Sequence, residues 1–199
     1  MRQMQWFNEP EQWSVSDEQS LSMFVTPRTD YWRITHYGFT VDDGPFYYCQ
    51  LGGEFETTVK ITGEYQTRYD QMGLMIRIDE RRWIKTGVEY VNEKINLSAV
   101  VTREQSDWNI VELEQVPESV WLKVIKRLDY VEINYSLDNV TFTMLRLAYF
   151  PPNTPVMVGM TAASPDGDGF PALFEDFRIK HLPDLQREQW LENSKKNTP

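Results

Sequence analysis

Followed for alternation of apolar and polar side chains, the chain reads as strand along most of its length. Leu21, Met23 and Val25 alternate with Ser22, Phe24 and Thr26, which predicts a half-buried strand over about residues 20–26. Pro27 ends it, because proline cannot continue a hydrogen-bonded ladder. Residues 29–39, TDYWRITHYGF, read as an aromatic loop or short strand, and Asp42-Asp43-Gly44-Pro45 reads as a turn. Strand runs follow at 46–51, 55–62, 71–78, 83–91, 95–102 and 108–113, and again at 120–126, 130–137, 141–148, 156–162 and 170–179. Asp138-Asn139 has the residue types of a hairpin turn. Many short strands, separated by turn residues and with little helical periodicity, predict an all-β sandwich of two antiparallel sheets.

The segment 69–102 carries most of the information. It forms three consecutive strands with turns at Asp79–Arg82 and Asn92–Lys94. Side chains alternate across a strand, so Met72, Leu74, Ile76 and Ile78 share one face while Gln71, Gly73, Met75 and Arg77 share the other. In the next strand Ile84, Thr86, Val88 and Tyr90 oppose Trp83, Lys85, Gly87 and Glu89. In the third, Leu97, Ala99 and Val101 oppose Asn96, Ser98, Val100 and Thr102. Each strand has an apolar face for the core and a mixed face. Two accounts of the mixed face stand side by side: a solvated surface with cross-strand ion pairs, or a ligand-binding surface. Gly73 and Gly87 would let another group approach the backbone, and Trp83 would supply an aromatic wall.

Hydrophobic residues make up 41% of the 199 and aromatic residues 14%, enough for a packed core in one domain. The formal net charge of −10 argues against a nucleic-acid partner, whose phosphates call for clustered Lys and Arg. A single cysteine, Cys49, rules out an internal disulfide framework and reads as a small half-buried hydrophobe. No signal-like or membrane-spanning apolar run is present, so the expectation is a cytoplasmic protein without a membrane role. From Pro183 the pattern changes: acids come early and Lys195 and Lys196 late, as in a short surface helix. The expected organisation is a sandwich over residues 1–182 and a helix or tail over 183–199.

Candidate chemistry is sparse. Glu54 and Glu56, like Glu112 and Glu114, place two carboxylates about 7 Å apart on one strand face, a separation used by inverting glycosidases and also ordinary on a solvated face. His36 and His181 are the only histidines, which excludes a multi-histidine metal centre. His36 sits beside Asp30, Trp32 and Arg33, and reads as a hydrogen-bonded structural histidine or a ligand contact. Asp166-Gly167-Asp168-Gly169 reads as a tight turn lacking the remaining acids of a calcium loop. No metal and no cofactor are expected.

The segments WFNEPEQW, TDYWRITHYGF, YDQMGLMIRID, WIKTGVEY, LSAVVT, SDWN, YSLDN and MTAASPDGDGF occur in that order along the chain. Taken together, they resemble the domains of unknown function related to the fungal regulation-of-enolase protein. The resemblance implies a concanavalin A-like lectin/glucanase fold, a jelly-roll sandwich of two antiparallel sheets. It also implies that the mixed surface lies on a concave sheet, with Trp32, His36 and Trp108 at its rim. Such folds serve lectins, glucanases and structural modules alike, so fold alone does not give function. The leading expectation is a binding domain for a carbohydrate or related polar metabolite. Gln71, Arg77, Lys85, Glu89 and Ser98 would hydrogen-bond the ligand and Trp32, Trp83 or Trp108 would stack on it, Arg77 and Lys85 favouring an anionic sugar. The alternatives are a glycoside-active enzyme using Glu89 with a second carboxylate, and a regulatory protein that binds a metabolic enzyme.

Overall fold

The computed structural model describes residues 3–16 and 20–184, which form sixteen β-strands and no α-helix. One seven-stranded sheet runs β1 (Gln5–Phe7), β6 (Phe46–Leu51), β15 (Val156–Ala163), β8 (Gln71–Asp79), β9 (Arg82–Val91), β10 (Lys94–Arg103) and β11 (Gln105–Glu112). The second runs β14 (Thr143–Tyr149), β13 (Tyr130–Ser136), β12 (Val120–Arg127), β7 (Phe55–Gly63), β16 (Pro171–His181), β3 (Leu21–Phe24) and β2 (Trp13–Val15). A separate two-stranded hairpin, β4 (Tyr31–Arg33) and β5 (Thr40–Asp42), comes from the aromatic stretch. All strand pairs are antiparallel. The sheets form the two layers of a sandwich.

The alternation along 69–102 explains the layering. Met72, Leu74, Ile76, Ile84, Val88 and Leu97 turn inward from the first sheet and meet Phe55, Val59, Ile61, Leu122, Ile133 and Phe174 of the second. Burial of each such side chain is worth about 1.5–3 kcal/mol, which fixes the register, because a one-residue slip would turn the whole set outward. Asn92 and Glu93, at φ 54° and 60°, close the β9–β10 hairpin in the left-handed region that a two-residue turn between twisted strands requires. The helix expected from Pro183 falls on residues 185–199, outside the described residues; Leu182 to Asp184 lie outside regular structure.

The two mid-strand glycines serve the sheet itself, which corrects their reading as an opening for a ligand. Gly73 and Gly87 face each other across β8 and β9. A Cβ on Gly73 would stand 1.9 Å from the carbonyl oxygen of Thr86, and one on Gly87 1.9 Å from that of Met72. The neighbouring strand already occupies the space that a side chain would need.

Candidate functional site

The mixed face of β8–β10 is divided between two roles. At one end Met75, Trp83 and Val100 form a second hydrophobic cluster with Tyr31, Trp32 and Phe46, so the β4–β5 hairpin is packed onto the sheet face opposite the main core. Trp83 is only 1% exposed there, edge-on to Tyr31 at 6.1 Å, and offers no surface for stacking a ligand. Arg77, 4% exposed, grips Asp42 of the hairpin through both terminal nitrogens, at 2.5 and 2.6 Å, with its guanidinium over the Phe7 ring. Both residues were expected in the ligand face. Instead, they fasten the hairpin to the sheet.

At the other end the same face floors a cleft of about 250 Å³. Gln71, Lys85 and Glu89 line its base: the pairing of β8 with β9 sets Gln71 opposite Glu89, and Lys85 shares that face four residues away along β9. The hairpin supplies Asp30, Trp32, Tyr37 and Phe39; the turn before β8 supplies Arg68 and Tyr69; Trp108 comes from β11. The aromatic walls brace one another: Trp32 meets Tyr37 edge-on at 5.7 Å, Tyr37 stacks on Phe39 at 5.5 Å, and Tyr69 meets Trp108 edge-on at 6.3 Å. Tyr69 holds φ at 72°, a left-handed conformation that points to local backbone strain at the cleft.

Hydrogen bonds set the floor. Trp108 donates its indole N–H to Glu89 Oε2 at 2.9 Å, shared with Ser98 Oγ at 3.2 Å. Lys85 Nζ and Gln71 Nε2 reach Asp30 Oδ1 at 3.3 and 3.4 Å, and the Tyr31 backbone N–H donates to the same oxygen at 2.7 Å. Glu89 is 5% exposed, and this burial pushes its carboxyl above the usual carboxylate range; the Lys85 charge and the bonds from Ser98 and Trp108 pull the other way. At the mouth the Tyr37 and Tyr69 hydroxyls meet at 3.1 Å, and the Tyr69 phenol is pushed up to about 12, first by that bond and then by burial.

The cations are already matched. Lys85 pairs with Asp30, Arg68 with Asp166 at 2.7 Å, and Arg77 with Asp42. The expectation of an anionic sugar therefore loses its basis. Asp168 is engaged by Arg28, and among the described residues no group of three or more His, Cys, Asp or Glu is placed to hold a metal ion.

Of the nine residues singled out in the sequence, Trp32, Gln71, Lys85, Glu89 and Trp108 line the cleft. Ser98 lies behind Trp108 and lines a separate cavity of about 20 Å³ beside Gly73 and Gly87. His36 stands at the exposed hairpin tip at φ 65°, its ring edge-on to Tyr37 and outside the cleft. Sequence reasoning did not assign Asp30, Tyr37, Phe39, Arg68, Tyr69 or Asp166 to this site, although Asp166 was weighed as a turn residue and Asp30 as a neighbour of His36. For Asp30, Tyr37 and Phe39 the available signal was the aromatic density of residues 29–39; Arg68, Tyr69 and Asp166 lie outside it. Glu54, weighed as half of a carboxylate pair, is a buried partner of Arg127 at 3.0 Å.

Residues 6–182 match the family described as protein of unknown function (DUF1349). Over 175 residues the chain is 34% identical to Regulation of enolase protein 1 of Saccharomyces cerevisiae S288c, covering 87% of each chain. A crystal structure of a functionally unknown protein from Saccharomyces cerevisiae matches with a TM-score of 0.87 and 32% identity, over 90% of this chain and 97% of that one. The GH43 protein BlXynB from Bacillus licheniformis matches at TM-score 0.70 and 16% identity, over 90% of this chain but 37% of its own length. That last likeness bears on the fold alone. With nearly the whole sandwich inside the match and a third of its residues shared with the yeast relative, the chain belongs to the DUF1349 family.

Proposed function

We propose that this chain is a binding domain for an uncharged carbohydrate or a related polar metabolite, seated in the cleft between the hairpin and the first sheet. The observation that carries this reading is the pairing of aromatic walls, Trp32, Tyr37, Tyr69 and Trp108, with a polar floor of Gln71, Lys85 and Glu89. Aromatic faces suit the C–H face of a sugar ring, and a few fixed polar groups suit its hydroxyls. The corresponding fold reading is a concanavalin A-like jelly roll over residues 1–182, with residues 183–199 as an appended segment. The test is titration of neutral monosaccharides and oligosaccharides, followed by tryptophan fluorescence and thermal shift. A ligand that quenches Trp108 and raises Tm supports the reading, and a folded protein indifferent to the whole panel sinks it.

One observation favours a second reading, glycoside cleavage. The Glu89 carboxyl is pushed up by burial in a cleft that also holds the carboxyls of Asp30 and Asp166, and acid catalysis of glycoside cleavage uses a raised carboxyl together with a second carboxyl in the same cleft. Release of nitrophenol from aryl glycosides, abolished by Glu89→Gln, supports this reading; binding without turnover removes it. The name of the yeast relative speaks of regulating enolase. For this chain that suggests a protein partner, which affinity capture with purified enolase tests directly.

A further inference from the structure

Several features at the cleft bear on the size and chemistry of what it admits. Its volume of about 250 Å³ lies below the roughly 300–1,000 Å³ of clefts that take drug-sized ligands, and a disaccharide is already of that size. The mouth is crossed on two sides. The Tyr37 hydroxyl meets that of Tyr69 at 3.1 Å and joins the hairpin tip to the turn before β8. Arg68 Nε donates to Asp166 Oδ2 at 2.8 Å and joins that turn to the loop between β15 and β16. An open groove able to pass a polymer has no such ties across it.

The floor also selects by hydrogen-bond sense. Glu89 Oε2 takes the indole N–H, and Ser98 also bonds to this carboxyl, which leaves acceptor lone pairs on it uncommitted. Asp30 Oδ1 accepts three donors, and Oδ2 takes no part in those bonds. The cleft thus presents the acceptor groups of Asp30 and Glu89 to a ligand, with Trp32 and Trp108 in the walls. A sugar ring presenting hydroxyl donors along one edge and a C–H face to an aromatic wall satisfies both demands.

Resting on the carbohydrate reading above, we infer that the cleft takes a single neutral sugar ring, free or at a chain end, whose hydroxyls donate to Asp30 and Glu89, and not a stretch within a polysaccharide.

The experiment titrates the full chain with glucose, galactose, xylose and arabinose, with linear tetrasaccharides of glucose and xylose, and with β-cyclodextrin, a glucose ring without chain ends. Calorimetry and tryptophan fluorescence give the affinities. The expected result is binding of at least one monosaccharide, its linear tetramer within about threefold of it, and no binding of the cyclic sugar. Glu89→Gln and Asp30→Asn, each checked for wild-type folding by circular dichroism, should each weaken the monosaccharide about tenfold or more, as loss of a charged acceptor does. A tetramer more than tenfold tighter than its monomer, or equal binding of β-cyclodextrin, overturns the inference and leaves the carbohydrate reading in place. Unchanged monosaccharide affinity in both variants also overturns it. Silence from every sugar removes the carbohydrate reading itself, and the inference with it.

Discussion

Glu89 of β9 and Trp108 of β11 are joined across the intervening strand β10 by one hydrogen bond, indole N–H to Oε2 at 2.9 Å. The bond gives a buried carboxylate a partner at the edge of the cleft and holds the indole as a wall. Burial nevertheless raises the Glu89 carboxyl above its ordinary 4.5. The folded chain then keeps a proton that the unfolded chain releases, so this group's contribution to stability falls as pH rises from about 4.5 through the raised value. Glu89→Gln still accepts from Trp108 and never ionises. Its Tm relative to wild type should climb across that window, reaching wild type or above at neutral pH. A Tm difference that stays constant with pH would show that Glu89 titrates normally.

Asp42→Ala leaves Arg77, 4% exposed, without its carboxylate. Stranding one member of a buried pair costs about 3–5 kcal/mol, whereas removing both charges costs far less. Urea denaturation of Asp42→Ala should show the loss, and adding Arg77→Met should recover at least half of it. Equal losses in the single and double variants would mean that the hairpin is held by its aromatic packing alone.

Gly73→Ala and Gly87→Ala each force a methyl group against a neighbouring carbonyl oxygen only 1.9 Å away. Strain of this kind costs about 1–3 kcal/mol, and more where backbone must move. Denaturation midpoints should fall for both variants. The predicted loss does not depend on any ligand, which distinguishes strand packing from ligand access as the reason for glycine.

Asp138 accepts backbone N–H groups from Val140 and Thr141 at 2.8 Å each, and the Ser136 hydroxyl, in the turn between β13 and β14. These bonds draw its carboxyl down from 3.8 to about 2. The stabilisation is therefore fully present above about 3.8 and lost as pH falls toward about 2. Asp138→Ala should lower Tm at neutral pH and flatten the acid limb between those values, measured by thermal melts in a pH series.

How much of this was legible in the sequence depended on how far apart the partners lie along the chain. Alternation in β8–β10 sorted the core face from the other because that signal lies within one strand at a time. It placed Gln71, Lys85 and Glu89 together because short hairpins pair their strands in fixed register. It also placed Arg77 and Trp83 on that face, but it carried nothing about a cover. Asp42 is 35 positions from Arg77 and Asp30 is 55 from Lys85, so those contacts arise only when the hairpin docks. Residues 29–39 were hard to read because Tyr31 and Trp32 are both buried though adjacent, which breaks the period-two pattern of a strand with one wet face. Tyr69 entered the cleft through a left-handed turn conformation that its residue type does not announce.

The docked hairpin has one consequence for how the molecule can vary. Floor residues sit on strands whose opposite faces are locked into the sandwich, so a change there disturbs a register that the whole molecule shares. The tip residues Ile34, Tyr37 and Phe39 are exposed and owe little to the core. Exchanging residues 34–39 between relatives should therefore reshape the wall made by Tyr37 and Phe39 without unfolding the recipient, while the acceptors Asp30 and Glu89 stay in place.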